Sequence, residues 1–302
     1  QDWMGACGGT MNAELSSYVA DETGEPVEQV DIDLTGNGNN MAMQTTGSTG
    51  SVSFGSVPTV GQYTLTPQKD INPLNGVSTY DLLLIQKHLL AIKSITSPYR
   101  LIAADVNNNC NISISDIIEL RKMILAPGTN FANNTSWRFV EAGYAFPNPA
   151  KPCNFMEMKS FNGLQLGMNS AGFIGVKIGD VSGDAIPNSL LGAETRNSVG
   201  QLQLELADRT FTAGETFVIE VKAGNFKGVQ GYQYTMDLDA EVLRVEAVEA
   251  VWTDLSASNF GQARLDAGLL TTSWNGSEPT TLAADQVLYR VKVKALSSGR
   301  LS

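Results

Sequence analysis

The sequence of 302 residues has one histidine, His88, and three cysteines, Cys7, Cys110 and Cys153. Catalytic triads and most catalytic zinc sites need histidine at the centre of their chemistry, so its scarcity argues against both classes of site. The cysteines have no C-x-x-C spacing, which excludes a zinc ribbon and a thioredoxin motif. Three cysteines allow at most one internal disulfide, and we predict that Cys110 pairs with Cys153.

Basic residues and long apolar runs are also scarce. Lys and Arg number 20 against 31 Asp and Glu, which gives a net charge of −11. A nucleic-acid binder needs a cationic surface to displace counterions from phosphates, so this balance predicts no nucleic-acid partner. No apolar run approaches the ~20 residues that a membrane-spanning helix needs. Hydrophobic residues make up 42% of the chain, which is enough for packed cores, and the length predicts two or three domains.

Charge and turn-forming residues divide the sequence into five predicted segments. Residues 1–69 carry eight acidic residues and one basic residue, whereas residues 70–200 are neutral overall. The predicted segments are an N-terminal segment at 1–12, a β-sandwich at 13–69, a central domain at 70–187, a linker at 188–200 and a second β-sandwich at 201–302. The chain begins at Gln1 without the features of a signal peptide, so we expect a processed N-terminus or a piece of a larger protein.

Residues 13–69 alternate between apolar and polar side chains, which predicts short antiparallel strands separated by Gly and Asn turns. The order Val-x-Asp-Glu-x-Gly-x-Pro-Val at residues 19–27, followed by Gly-x-Tyr-Thr-Leu-Thr-Pro at residues 61–67, resembles carboxypeptidase-regulatory-like domains and collagen-adhesin B-repeats. Such modules serve as stalks or spacers. The resemblance therefore implies a spacer without a reactive site.

Residues 201–302 also alternate with a period of two, which predicts a second set of strands. The pattern Phe-Thr-Ala-Gly-Glu-x-Phe at residues 211–217, followed by Gly-Tyr-Gln-Tyr-Thr-Met-Asp-Leu-Asp-Ala-Glu-Val-Leu at residues 231–243, resembles cohesin-like jelly-roll sandwiches. In that family further strands follow the last ones seen here. We therefore expect a sandwich that is truncated or completed by another segment.

Two similar stretches, 35 residues apart, each lead into an apolar helical pattern. Both have Asp at position 1, Asn at position 3, an aliphatic residue at 8, Ser at 9 and Asp at 12, and they start at Asp70 and Asp105. Ca²⁺ prefers six to eight oxygen ligands, and a tight loop directs positions 1, 3, 5, 7 and 12 at one centre. The predicted ligands of two Ca²⁺ ions are Asp70, Asn72, Asn75, Gly76 and Asp81 in the first loop, and Asp105, Asn107, Asn109, Asn111 and Asp116 in the second.

An EF-hand loop followed by one helix, in two copies, resembles a type I dockerin. The first loop departs from the pattern at position 5, where Leu74 has no side-chain oxygen, so Asn75 or water has to replace it. In the second loop Cys110 stands at position 6, where Gly usually makes the turn, and this predicts a positive φ at Cys110. The alternative reading is that both loops are only good turns and helix N-caps.

Residues after the second helix form an insertion with the aromatic residues Trp137, Phe139, Tyr144 and Phe146, which we expect to be core rather than a ligand platform. The insertion ends in a half-loop with oxygens at positions 1, 3 and 5, namely Asp180, Ser182 and Asp184. This half-loop donates to a neighbouring site, holds a third ion weakly, or is a simple turn. The insertion resembles dockerin-like segments in large secreted surface proteins of Bacteroidetes-type bacteria.

The sequence thus predicts a mainly β multidomain fold with an N-terminal sandwich, a central α+β calcium module and a C-terminal jelly roll. The favoured function is a non-catalytic, extracellular or cell-surface protein that is stabilised by calcium and self-assembles into a filament through its dockerin-like and sandwich modules. The alternative is the accessory region of a larger secreted polysaccharide-degrading enzyme, and carbohydrate stays open as a partner. An enzyme within this chain, with Asp237 and Asp239 as a glycosidase pair, is the least favoured reading.

Overall fold

The computed structural model describes residues 11–188 and 202–301, and strands form most of its regular structure. Cys7 and nearly all of the predicted linker lie outside these ranges. The first strands are β1 (Asn12–Ala20), β2 (Asp31–Gly36), β3 (Asn39–Thr45), β4 (Ser51–Pro58) and β5 (Gln62–Gln68). Then come α1 (Thr79–Leu89), α2 (Pro98–Ala104), α3 (Ile114–Leu125), β6 (Trp137–Glu141), β7 (Lys159–Asn162) and β8 (Met168–Lys177). The C-terminal strands are β9 (Gln203–Glu205), β10 (Arg209–Phe211), β11 (Thr216–Asn225), β12 (Val229–Asp237), β13 (Leu243–Ala250), β14 (Phe260–Gly261), β15 (Leu269–Thr280), β16 (Val287–Ala295) and β17 (Gly299–Leu301).

Two four-stranded sheets, ordered β4-β1-β8-β6 and β3-β2-β5-β7, form the first sandwich. The alternation in β2 buries Ile32 and Leu34 in its core, where Leu15 and Leu65 also lie. Strands β6, β7 and β8 come from the insertion, and β8 pairs with β1 in parallel. A parallel pair needs a long crossover, and here the three helices are part of that crossover. Strand pairing therefore runs across the boundary that the charge pattern indicates at residue 70.

The three helices pack around a second core. Leu82 and Ile85 of α1 and Leu120 and Ile124 of α3 are nearly or fully buried in this core. Both α1 and α3 begin at a capping box, in which a Ser caps the helix and an Asp three residues later accepts a hydrogen bond from the backbone of that Ser. Residues of the insertion complete the core. The insertion thus contributes residues both to the core of the helices and to the core of the first sandwich.

The aromatic residues Trp137, Phe139, Tyr144 and Phe146 of the insertion are packed, as the sequence predicts. Trp137 and Phe139 are buried in the core of the first sandwich, on β6. Tyr144 and Phe146 are partly buried against the core of the helices. Their rings meet edge to face, with centroids 5.1 Å apart. These contacts leave the aromatic residues in structural roles.

The C-terminal sandwich consists of the sheets β13-β16-β11-β9 and β12-β15-β14, together with the pair β10-β17. Phe217, Ile219 and Val221 alternate into its core, where Trp274 and Tyr289 also lie. The mainly β fold with separate cores is therefore confirmed. In the part of the chain that the structure describes, none of the helices has the length and apolar character to span a membrane.

Candidate functional site

The second predicted loop is a tight turn closed by carboxylates. Asp105 Oδ1 accepts a hydrogen bond from the backbone N of Asn109 at 3.0 Å, and its Oδ2 accepts one from the backbone N of Cys110 at 2.8 Å. Asp116, which is fully buried, accepts from the backbone N of Asn107 at 3.2 Å. The structure thus brings positions 1, 3, 5 and 12 of this loop together. Position 7, Asn111, lies on the exposed side of the loop.

The donor set of this loop fits a calcium ion. Asn107 Oδ1 is buried and has no hydrogen-bond partner, although a buried polar oxygen without a partner costs roughly 1–3 kcal/mol. Burial is also the main cause that raises the pKa of Asp105, with a contribution from the Asp116 carboxylate. A hard cation bound among these oxygens would complete the coordination of Asn107 and offset the repulsion between the two carboxylates. Asp105, Asn107 and Asp116 would hold it, with Asn109 and the carbonyl of Asn111.

Cys110 forms the predicted disulfide with Cys153, with the two Cα atoms 5.6 Å apart. It also has the predicted positive φ, of 64°. A non-glycine residue in this region costs roughly 1–2 kcal/mol. The disulfide attaches position 6 of the loop to the insertion and thereby helps to hold the strained backbone in place.

We expect the Cys153→Ala variant to lose about 2–4 kcal/mol of unfolding free energy, because the disulfide closes a loop with a sequence separation of 43. It should also bind calcium severalfold more weakly in the second loop, as Cys110 is no longer held at positive φ. Adding Cys110→Gly should restore the calcium affinity without restoring the crosslink, because Gly adopts this φ without strain. Calorimetry on calcium-stripped protein measures the affinities, and equal affinities in all three proteins would contradict the coupling.

The residues predicted for the first loop are distributed differently. Asp70 is exposed and accepts a hydrogen bond from the backbone N of Ser136 at 2.8 Å. Asn72 is exposed with φ of 51°. The Asn75 side chain donates to the carbonyl of Ile186 at 2.7 Å and accepts from the Ile186 backbone N at 3.1 Å. Ligation of calcium by Asp70, Asn72 and Asn75 stays a prediction, and the hydrogen bonds of these side chains lead to other parts of the chain.

Asp81, at position 12, contacts the half-loop that follows β8. Its Oδ1 accepts hydrogen bonds from the backbone N atoms of Val181 and Ser182 at 3.0 and 2.9 Å. Burial, with a contribution from the nearby Asp180 carboxylate, raises the pKa of Asp81 to about 6. Asp180 is also buried, and burial raises the pKa of its carboxyl. Two buried carboxylates therefore lie close together at the start of α1.

Lys177 is a buried basic side chain whose charge is stabilised by both carboxylates of this pair. Its Nζ donates to the carbonyls of Pro73 and Ile178 at 2.7 and 2.9 Å. Burial lowers the pKa of Lys177 to about 7, while the negative charges of Asp180 and Asp81 raise it.

Among the described residues no three His, Cys, Asp or Glu side chains converge as a metal cluster. Each loop instead combines carboxylates with amide, hydroxyl and carbonyl oxygens, which are ligands that Ca²⁺ accepts.

A second candidate site is the face of α1 that packs against β12 and β15 of the C-terminal sandwich. Thr79 donates from its backbone N to Gln233 Oε1 at 3.0 Å, and its hydroxyl lies 2.7 Å from that of Ser273. Two turns further along, Lys87 Nζ donates to Gln230 Oε1 at 3.0 Å and Gln86 Oε1 accepts from the Asn275 side-chain amide at 2.7 Å. Thr79, Leu83 and the pair Gln86 and Lys87 follow the helical spacing of three to four residues, so they form one stripe.

The end of α3 reaches the same sheet. Arg121 Nη2 donates to Asn275 Oδ1 at 2.6 Å. A Cβ on Gly261 of β14 would overlap the carbonyl oxygen of Leu125 and lie 2.8 Å from its carbonyl carbon. A Cβ on Gly231 of β12 would lie 3.3 Å from Thr79 Cγ2. Glycine at both positions lets the backbones approach closely. We call this contact between α1, α3 and the sheet β12-β15-β14 the docking face.

Sequence reasoning did not identify the docking residues. Thr79 directly follows the N-cap Ser78, so in the sequence it looks like an ordinary first residue of a helix. The other docking residues, Gln233, Ser273 and Asn275, belong to the strands β12 and β15, where polar side chains are ordinary. The available signal was the row of polar side chains along an otherwise apolar α1, because a helix buried on all sides would be apolar there as well.

Asp237 and Asp239, the pair considered for a glycosidase, are both exposed. Asp239 lies in a turn, where it accepts a hydrogen bond from the backbone N of Glu241 at 2.9 Å.

Comparison with known protein families identifies the helical part of the chain. Residues 68–125 match the dockerin type I domain. This match contains both predicted loops and the helices α1, α2 and α3, and it ends with α3. Among solved structures, a type II cohesin–X-dockerin complex from Acetivibrio cellulolyticus with a mutated N-terminal interface is similar at 14% identity with a TM-score of 0.25, over 32% of this chain and 72% of that chain. Comparison with curated proteins gives no match.

Proposed function

We propose that this protein is a non-catalytic, extracellular assembly protein whose calcium-stabilised dockerin helices bind the three-stranded sheet of a β-sandwich. The docking face carries this proposal. The dockerin match supports a role in binding another protein, and dockerin domains generally bind calcium and occur in extracellular proteins. The Cys110–Cys153 disulfide supports an oxidising compartment as well.

The chemistry of the docking face suits reversible binding. Its contacts are hydrogen bonds among Thr, Ser, Gln and Asn side chains, together with those that the partly buried Lys87 and Arg121 donate. Hydrogen bonds between uncharged groups contribute only about 0.5–1.5 kcal/mol each, since water competes for the same partners. Polar surfaces of this kind also remain soluble when separated. The docked and undocked forms are therefore both accessible to one chain.

Self-assembly follows from the presence of both partners in one polypeptide. Each chain offers one helical face and one sheet, so exchange between chains is a heterologous contact that extends head to tail into a filament. Within one chain the tether gives an effective concentration in the millimolar range, so intrachain docking competes strongly at low protein concentration. Assembly should therefore appear at high local concentration, as at a cell surface. Carbohydrate binding, the other partner class expected from the sequence, stays a prediction.

The Thr79–Ser273 contact provides a test of exchange. In a Cys7→Ser background, chains with Thr79→Cys are mixed with chains that carry Ser273→Cys, in calcium and under mild oxidation. We expect disulfide-linked dimers whose yield rises with protein concentration, and an internal crosslink when both substitutions are in one chain. Pairing Ser273→Cys with Thr49→Cys, at an exposed position of the first sandwich, is the control. If mixed dimers stay at the level of this control at every concentration, assembly between chains is refuted.

A further inference from the structure

We propose that the first calcium site is assembled from two distant stretches of chain, with Asp180, Ser182 and Asp184 at positions 1, 3 and 5 and with Gly76 and Asp81 at positions 7 and 12. This inference rests on the proposed calcium-binding function and deepens it, because it replaces Asp70, Asn72 and Asn75 as ligands. The joining residues, Asp81 and Val181, are 100 residues apart in the sequence. The first site is thus a split loop.

The hydrogen bonds of the continuous second loop provide the template. The amide of position 5, Asn109, donates to Asp105 Oδ1, and the amide of position 6, Cys110, donates to Asp105 Oδ2. The amide of position 3, Asn107, donates to the position-12 carboxylate, Asp116. The other oxygen of Asp116 accepts from the backbone N of the N-cap, Ser113, at 2.9 Å.

The split loop repeats these bonds position by position. The amide of Asp184 donates to Asp180 Oδ1 at 3.2 Å, and the amide of Ala185 donates to Asp180 Oδ2 at 2.9 Å. The amide of Ser182 donates to Asp81 Oδ1 at 2.9 Å. Asp81 Oδ2 accepts from the backbone N of the N-cap, Ser78, at 2.8 Å. Residues 180–185 therefore correspond to residues 105–110, with Ala185 in the place of Cys110.

The two halves meet where a continuous loop would pass from position 6 to position 7. Gly76 lies directly against Ala185, since a Cβ on Gly76 would lie 2.6 Å from the Ala185 N and Cα atoms. The paired hydrogen bonds between Asn75 and Ile186 hold the chains together beside this junction. Gly76 has φ of 74°, so a side chain here would be strained as well as obstructed. The split loop is closed by packing instead of a peptide bond.

The oxygens of the split loop suit calcium. The carboxylates of Asp81 and Asp180 are buried, with exposed fractions of 0% and 6%, and the hydroxyl of Ser182 lies 3.0 Å from Asp180 Oδ1. Burial of two neighbouring carboxylates is costly without a cation. The Asp70 carboxylate, by contrast, is exposed and bound to the Ser136 amide. Lys177 donates its hydrogen bonds to backbone carbonyls and so leaves the carboxylate oxygens to other partners.

A calcium ion in the split loop would link the end of the insertion to the start of α1, because it would bind oxygens from both. Ser78 and Thr79 lie between Gly76 and Asp81, and Thr79 contacts Gln233 and Ser273 of the docking face. Calcium at the split loop therefore fixes the helix end that binds the sheet. We expect docking to depend on this site more than on the second loop.

Calcium titration of matched variants tests the split loop. Asp180→Asn and Asp70→Asn make the same change, the loss of one negative charge, at the two candidate first positions. Calorimetry on the calcium-stripped full chain should give two ions for the unchanged protein and for Asp70→Asn. For Asp180→Asn it should give one ion at the original affinity and a second at least tenfold weaker. Ser182→Ala is a milder variant at the split loop, with a severalfold loss expected at the same site.

The outcomes separate this inference from the calcium function itself. Retention of the second-loop ion in Asp180→Asn serves as the check that this variant is folded. If Asp70→Asn loses an ion while Asp180→Asn and Ser182→Ala keep both, the split loop is wrong and the continuous first loop is correct. If the unchanged protein binds no calcium, the split loop and the calcium function both fail.

Discussion

Removal of calcium is expected to expose the helices selectively. In EDTA the backbone amides of α1 and α3 should exchange with solvent deuterium at least tenfold faster, while those of β11 and β16 in the C-terminal sandwich keep their protection. The reason is that calcium at 100 times its dissociation constant adds about 2.7 kcal/mol of stability per site, and this stabilisation is lost on chelation. Hydrogen exchange followed by mass spectrometry resolves the segments.

Magnesium provides the matched control for this experiment. Mg²⁺ prefers octahedral coordination at short distances and gives up its water reluctantly, so it should restore the protection much less than Ca²⁺ at equal concentration. Equal exchange rates of α1 with and without EDTA would contradict a stabilising role for calcium. Equal restoration by both cations would indicate that general charge screening, and not a built site, is responsible.

Much of the second loop could be predicted from the sequence because its ligands are local. The spacing from Asp105 to Asp116, the positive φ of Cys110 and the pairing of Cys110 with Cys153 all depend on residues within one module. The strands within residues 13–69 and 201–302 are likewise predicted from their period of two. In each of these cases the physical cause lies within a few residues of the element itself, apart from the disulfide, for which three cysteines allow three pairings and the structure shows Cys110–Cys153.

Features that depend on distant pairing were harder to predict. No local pattern specifies β1 as the parallel partner of β8, so the sequence does not predict that the insertion is part of the first sandwich. The same limit applies to the first loop. Asp70 stands 11 residues before Asp81, as Asp105 does before Asp116, and this spacing favours Asp70 as the first ligand. A half-loop at Asp180, Ser182 and Asp184 that donates to a neighbouring site is only one of three alternatives at the level of the sequence. The local indication against the continuous first loop was Leu74, which stands at position 5 and has no side-chain oxygen.

The docking face shows the same limit between modules, because neither partner has an unusual sequence. The helices and the sheet meet through polar side chains, among them the charged Lys87 and Arg121, and through two glycines, Gly231 and Gly261. Such residues are common on exposed strands, and only their positions in the folded chain give them a role. Prediction of this contact therefore required the structure.

The Gly261→Val substitution is expected to separate the helices from the C-terminal sandwich. The φ of Gly261 lies outside the left-handed region and the residue belongs to a strand, where Val is favourable, so the sandwich itself should tolerate the change. The new side chain would overlap the Leu125 backbone at the end of α3, and backbone atoms cannot move aside without shifting the helix.

We expect a larger radius of gyration by small-angle scattering for Gly261→Val and faster deuterium exchange at the Thr79 amide, which donates to Gln233 when docked. The melting transition of the C-terminal sandwich should stay within about a degree of the unchanged protein. Gly47→Val is the matched control, because Gly47 is exposed and a Cβ there meets no other atom within 4 Å. If the scattering and the Thr79 exchange of Gly261→Val equal those of Gly47→Val, the docking face does not hold these modules together in solution, and the assembly proposal loses its structural basis.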